Sequence, residues 1–230
     1  GWTVTLDDGE RLSADHVVLA ADPGAARTIA AASPGLAGHA PELASQLAAI
    51  ETTAPYAVSR LWTDRDCRPE RAVFSSVSRE ATLDSVTLYH RIERGAGQWA
   101  RRLGGSVIEL HAYAAPTGLD AAELTKRMWT ELGGLWPETV DMTILHVEER
   151  VGEDAPAFNV GSDAGRPGVV TDADGLYLAG DWVRMPFPSA LMERAAASAI
   201  LAVNAILERY GVGPNQVWSV APRGLLARGR

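Results

Sequence analysis

The sequence predicts a mixed fold: α/β plus α+β, with an antiparallel-sheet domain inserted into a doubly wound α/β domain. Three observations predict it. A continuously apolar run at residues 17–21 reads as a strand buried on both faces, the parallel-sheet kind. The middle of the chain holds strand-like runs that adjoin one another with one helix among them, the pattern of an antiparallel sheet under helical cover. A short apolar strand near residue 176 then leads into one long helix. With 230 residues, 47% of them hydrophobic, the chain can bury a real core.

The elements follow in order. Trp2-Thr3-Val4-Thr5-Leu6 alternates in a strand rhythm, Asp7-Asp8-Gly9 is a tight-turn signal, and a second run leads through His16-Val17-Val18-Leu19-Ala20. Asp22-Pro23-Gly24 stops it. Residues 25–50 are Ala-rich with Pro and Gly interruptions, which predicts two short helices. Strand-like runs cover residues 57–62, 72–77, 85–92 and 106–114. Helical spacing of Leu124, Met128 and Leu132 predicts a helix over 119–132, with Asp120 near its start and Gly133-Gly134 past its end. Residues 142–149 read as one more strand and 154–168 as an ordered loop. Leu176-Tyr177-Leu178-Ala179 is a short buried strand. After Pro186 and Pro188 a long helix runs to about Tyr210, with Gly211 in the C-cap place.

Composition removes several function classes. With 21 basic and 29 acidic residues the net charge is −8, which argues against nucleic acid as a partner. One cysteine, Cys67, excludes an intramolecular disulfide framework and a Cys-rich metal site, and fits a reducing compartment such as the cytoplasm. The five histidines lack ligand spacing, so no metal is expected. Ser189 and Ser198 lack a nucleophile elbow. No run reaches the ~18 consecutive apolar residues of a membrane span. The sequence begins with Gly1 inside a hairpin, which suggests the carboxyl-terminal part of a longer protein.

The chemistry concentrates in Gly180-Asp181-Trp182 and Pro188-Ser189-Ala190-Leu191-Met192-Glu193-Arg194. Gly180 would let a ligand approach the backbone. Asp181 stands at the carboxyl end of a strand, where open α/β sheets bind ligands, and can accept hydrogen bonds from sugar-type hydroxyls. The helix amino terminus adds unpaired N–H groups from Ser189 through Met192 and a partial positive charge, which suits an anion or a ring carbonyl that becomes anionic on reduction. A strand ending in Gly-Asp also occurs in many α/β proteins without such a role. Glu193 and Arg194 could act as a site acid and counter-charge, but read first as pairing with neighbouring elements, and Gly95-Ala96-Gly97 lacks the third glycine and the helix-opening context of a phosphate loop.

These segments resemble the flavin-binding end of the amine oxidase and phytoene desaturase superfamily, in which Ala-Gly-Asp or Ala-Gly-Glu precedes a helix with a Met-Glu pair. Together with Val217-Trp218-Ser219-Val220 and Ser106-Val107-Ile108-Glu109-Leu110-His111, they are most similar to isorenieratene synthase-type enzymes, FAD-dependent carotene desaturase/methyltransferases. Residues 1–23 resemble the segment that re-enters the FAD domain. The resemblance implies an FAD-dependent oxidoreductase acting on a carotenoid, with an incomplete FAD domain in residues 1–24 and 155–230 and a substrate domain in 25–154. It implies cofactor contacts from Gly180, Asp181, Trp182, Ala190, Leu191 and Met192, with Asp181 on a ribityl hydroxyl. Met185 and Phe187, like Trp182, would line the flavin or the substrate channel, or simply pack. The Gly-x-Gly-x-x-Gly unit is not in this sequence, so the implied partner is an amino-terminal FAD-domain portion, which would also carry any peripheral membrane contact. Two alternatives stand beside this: an amine or protoporphyrinogen oxidase-like flavoenzyme, and a truncated chain that binds no flavin.

Overall fold

The computed structural model describes residues 1–220 and divides them into two compact units, Gly1–Thr52 with Asp154 onward, and Thr53–Glu153. Residues 221–230, part of the expected range 155–230, lie outside the described residues. Among the described residues no helix is long and apolar enough to cross a membrane.

The first unit opens with the expected hairpin. β1 (Trp2–Thr5) pairs antiparallel with β2 (Arg11–Ala14), closed by the turn in which Gly9 N–H donates to Leu6 O at 2.9 Å. β3 (Val17–Leu19) pairs in parallel with β9 (Leu176–Leu178). The parallel partner is as expected, but β3 is only half-buried and Val18 is exposed, because this sheet has two strands among the described residues. Asp22 is a helix cap rather than a mere stop. Its carboxylate accepts from Ala25 N–H at 3.0 Å, and α1 (Pro23–Ala31) begins with proline in the first turn.

Three helices stand where two were expected: α1, α2 (Pro34–His39) and α3 (Pro41–Ala48). Each begins with proline, and Pro41 forces Ala40 out of helical geometry, cutting α2 from α3. Their apolar faces (Ala26, Leu36, Leu43, Leu47) share a core with Leu176, Leu178, Trp182 and Ala202. The boundary therefore falls at 52/53 and not at 24/25: residues 25–52 build the first unit's core, not the inserted one.

The second unit is an antiparallel sheet in the order β5-β6-β7-β4-β8. Strand β4 (Tyr56–Thr63) lies between β7 (Ser106–Ala112) and the edge strand β8 (Ile144–Gly152), and β6 (Ser85–Leu88) and β5 (Phe74–Ser76) continue outward from β7. Side chains of β4 alternate between buried and half-buried, as period-2 patterning requires. The buried set (Ala57, Leu61, with Ile108 and Leu110 of β7) packs against Leu124, Met128 and Leu132 of α5 (Ala121–Leu135). Asp120 caps α5 as expected, accepting from Glu123 N–H at 2.8 Å. The helix runs through Gly133-Gly134, however, and stops before Pro137, where Gly133 packs too close to Val140 for a free side chain (3.2 Å to a built Cβ).

α4 (Arg94–Leu103) overturns the reading of Gly95-Ala96-Gly97. These residues do open a helix, but Glu93 fills the amide positions a phosphate would need, accepting from Gly95 N–H at 2.7 Å and Ala96 N–H at 2.5 Å.

Candidate functional site

The first unit's candidate site grows from the end of β9. Ala179 N–H donates to Leu19 O at 3.0 Å, the last parallel bond, and the chain then turns at Gly180 with φ +152°. Ser198, fully buried on α6 (Leu191–Arg209), receives Gly180 N–H at 2.9 Å and directs its hydroxyl at the carbonyls of Ala195 (2.8 Å) and Gly180 (3.2 Å). Ser198 thus fixes the strand tip to the helix, a role invisible in sequence because its partner is 18 residues away.

On its Cβ side Gly180 leaves no room for a ligand. A Cβ there would sit 2.5 Å from Trp182 Nε1, so the indole occupies the space. Trp182 is itself fully buried and its Nε1–H donates to Ala21 O at 2.8 Å. The structure therefore corrects the Trp182 assignment, because its side chain belongs to the core and not to a ligand wall, and it gives Gly180 a role in indole packing. Met185 also packs against that core, while Phe187 is half-buried in the same loop.

Asp181 is half-buried. Burial pushes its carboxyl above the usual range and Asp154 adds to this, while Arg194 and Arg166 pull the other way. Arg194 Nε donates to Val183 O at 2.9 Å, which ties the loop after Asp181 to the flank of α6. Arg166 Nη1 donates to Trp182 O at 2.9 Å and Nη2 to Ala157 O. Arg166, in the 154–168 loop, was not legible as a site residue because its partners come from distant segments.

α6 begins at Leu191, not at Pro188, which lies two residues before the N-cap residue Ala190. Ser189 is therefore outside the helix, and the first-turn amides are those of Leu191, Met192 and Glu193. No side chain caps them. Leu191 has φ +51°, a region that side-chain-bearing residues rarely adopt, and Leu191 and Met192 are 72% and 85% exposed. Such strain costs about 1–3 kcal/mol and clusters at functional positions. A pocket of about 390 Å³ beside Arg166 is lined by Ile50, Glu51, Ala157 and Asn159. Asp181, Leu191 and Met192 stand outside it.

The second unit carries its own polar face. Registered across the strands, Thr87, Glu109, Arg60 and Glu148 form one row. Arg60 Nε donates to Glu109 Oε2 at 2.7 Å, and His111 Nε2 lies 2.9 Å from Glu109 Oε1. The His111 hydrogen bond and then Arg60 hold Glu109 below the usual carboxylate range against its burial. Arg60 also stacks over Tyr89 at 3.8 Å. A pocket of about 550 Å³ opens here between Tyr56, Arg60, Glu109 and Glu148. Among the described residues no group of His, Cys, Asp and Glu is placed to hold a metal ion.

Comparison with known families gives an independent finding: residues 1–207 match the model of the flavin containing amine oxidoreductases. The chain belongs to that family. It is 40% identical over 224 residues to the carotenoid phi-ring synthase of Streptomyces griseus, covering 97% of this chain and 43% of that protein. It is 35% identical over 221 residues to the carotenoid phi-ring synthase of Chlorobaculum tepidum, covering 95% of this chain and 34% of the relative. The chain thus spans less than half the length of these relatives. Among solved structures, reduced UDP-galactopyranose mutase superposes with a TM-score of 0.63 at 13% identity, over 91% of this chain and 44% of that one. An oxidoreductase from Methanosarcina mazei gives 0.58 at 15% identity, over 90% and 47%. At these identities the likeness concerns the fold alone.

Proposed function

We propose that this chain supplies the flavin-ring end of an FAD site and the substrate sheet of an oxidoreductase that desaturates and aromatises a carotenoid ring. One observation carries the cofactor part: the uncapped, strained first turn of α6 lies on the same helix as Arg194, which flanks Asp181. The donor set fits the ring end of FAD. Asp181 can accept from a ribityl hydroxyl, and the amides of Leu191 and Met192, with the helix dipole behind them, suit a pyrimidine carbonyl. Ala190, as N-cap, shapes that turn. The flavin, when bound, supplies a hydride acceptor; the protein binds it, orients it and opposes its negative charge. The substrate part is supported by the 97% coverage and 40% identity to a carotenoid phi-ring synthase.

In this reading the first unit is the carboxyl-terminal part of a flavin domain, and an amino-terminal portion completes the dinucleotide end. The test is product analysis. The whole gene product is expressed in cells that accumulate a β-ring carotenoid, and extracted pigments are separated by chromatography. The reading expects a new pigment with an aromatic end ring; an unchanged profile in cells that hold the yellow protein contradicts the carotenoid assignment.

A second reading, a flavin oxidase for a polar substrate such as an amine, has one observation in its favour. The second unit's pocket is lined by Arg60, Glu109, Glu148, Glu149 and Arg150, groups that suit a charged ligand better than a polyene. Turnover of a primary amine with peroxide release would favour it.

A further inference from the structure

We propose that Arg166 and Arg194 form a buried cationic pair that opposes negative charge on a flavin ring at the first turn of α6, raising that flavin's reduction potential. This rests on the flavin reading above and adds to it two residues outside the expected cofactor contacts.

Both guanidiniums are almost wholly buried, at 5% and 8% exposure, and both stack on one ring, Phe158, at 4.2 and 5.0 Å. Burial first, and then the like charge of Arg194, lowers the pKa of Arg166. Two acids lie in range, matching the pair in number but holding it loosely. Asp163 Oδ1 is 3.6 Å from Arg194 Nη2, beyond hydrogen-bond length, and its side chain is 70% exposed. Asp181 is the other acid in range, and it is half-buried.

Two buried donors also lack partners: Arg166 Nε and Arg194 Nη2. Buried donors of a charged group are almost always satisfied when their role is only to hold the fold. The remaining donors do hold the fold. Arg166 binds the carbonyls of Trp182 and Ala157, and Arg194 those of Val183 (2.9 Å) and Ser189 (3.4 Å). These anchors bracket the loop that joins Asp181 to α6, so both charges are tied to that loop. A neutral donor could bind those carbonyls; two cations add potential. From buried guanidiniums that potential reaches a ring that the side chains do not touch. Two-electron reduction leaves a flavin ring anionic, and its donor is oxidised by the same two electrons, so stabilising the anion raises the potential.

The test is the midpoint potential of the flavin-loaded whole protein, by dye equilibration, for wild type, Arg194→Met, Arg166→Met and Arg194→Lys, with thermal unfolding of each. The wild-type potential is expected above that of free FAD. Each Met variant is expected to lower it by about 30 mV or more, a tenfold loss in the two-electron equilibrium constant. Arg194→Lys, which keeps the charge but loses the planar fork, is expected to retain the potential while unfolding earlier. Equal potentials in the Lys and Met variants would assign the pair to structure alone and overturn the proposal. If the Met variants do not fold, the wild type decides: a potential at or below that of free FAD overturns the proposal. A wild-type protein without flavin refutes the underlying flavin reading as well, whereas a yellow protein with unshifted potentials refutes only the pair.

Discussion

Gly180→Ala is the substitution whose cost the structure fixes most closely. The new Cβ would meet Trp182 Nε1 at 2.5 Å and Cδ1 at 2.9 Å. The indole cannot swing away, because it is fully buried and tethered to Ala21 O at 2.8 Å. The backbone at φ +152° is also one that alanine rarely adopts. Strain of about 1–3 kcal/mol, overpacking of about 1–3 kcal/mol and a disturbed indole hydrogen bond of about 1–3 kcal/mol combine to roughly 3–6 kcal/mol once shared relaxation is allowed for. That is a large fraction of the ~5–15 kcal/mol that stabilises a typical domain. The assay is urea unfolding followed by hydrogen exchange, which separates the two units. Protection should fall in β3, β9 and α6 and persist in β4 and β7. Gly35→Ala is the control: it lies in α2 with nothing within 4 Å, so it should stabilise by about 0.5–1 kcal/mol. A loss below about 1 kcal/mol at Gly180, within the range of an ordinary surface change, would refute the packing argument.

Ser198→Ala should cost about 1–3 kcal/mol in the same titration, because Gly180 N–H is left without its partner. Cys67 is buried and burial pushes its thiol up to about 11, so a thiol reagent at neutral pH should label the unfolded chain and spare the native one. Arg71 donates to Glu138 at 2.7 and 2.8 Å, and this pairing first among the causes lowers its carboxyl from 4.5 to about 2. A lowered folded value gives stability that is present above 4.5 and lost as pH falls toward about 2. Acid unfolding of the second unit should therefore begin in that window, and Glu138→Gln should flatten the pH dependence while lowering stability at neutral pH; an unchanged acid profile would count against the pairing.

Local patterning made much of the fold legible. The hairpin needs only alternation and Asp8-Gly9, the Asp120 cap stands at its expected place, and the apolar run at Val17 does find a parallel partner. What stayed hidden depended on contacts between distant segments. Residues 25–52 carry no local mark of the unit they join; only packing of Leu43 and Leu47 with Leu176 and Trp182 decides it. Glycine in Gly-Asp reads the same whether a ligand or an indole fills the space beside it, and the structure puts the indole there. The proline before a helix suggested its first turn, but Ser189 lies outside the helix and Ala190 is extended, which moves the free amides to Leu191 and Met192. The place of Asp181 just past a strand end was legible from the apolar run before it. Arg166 was not, because its loop has no periodicity to expose a buried charge.

The central claim is that Asp181 and the first turn of α6 hold one flavin. Flavin retention by the whole protein carrying Asp181→Ala, measured as visible absorbance per chain after gel filtration, tests it most directly. Losing charge-assisted hydrogen bonds of roughly 1.5–3 kcal/mol each predicts about a 10- to 100-fold weaker hold, with the second unit still folded. A variant as yellow as the wild type after the same filtration would contradict the claim.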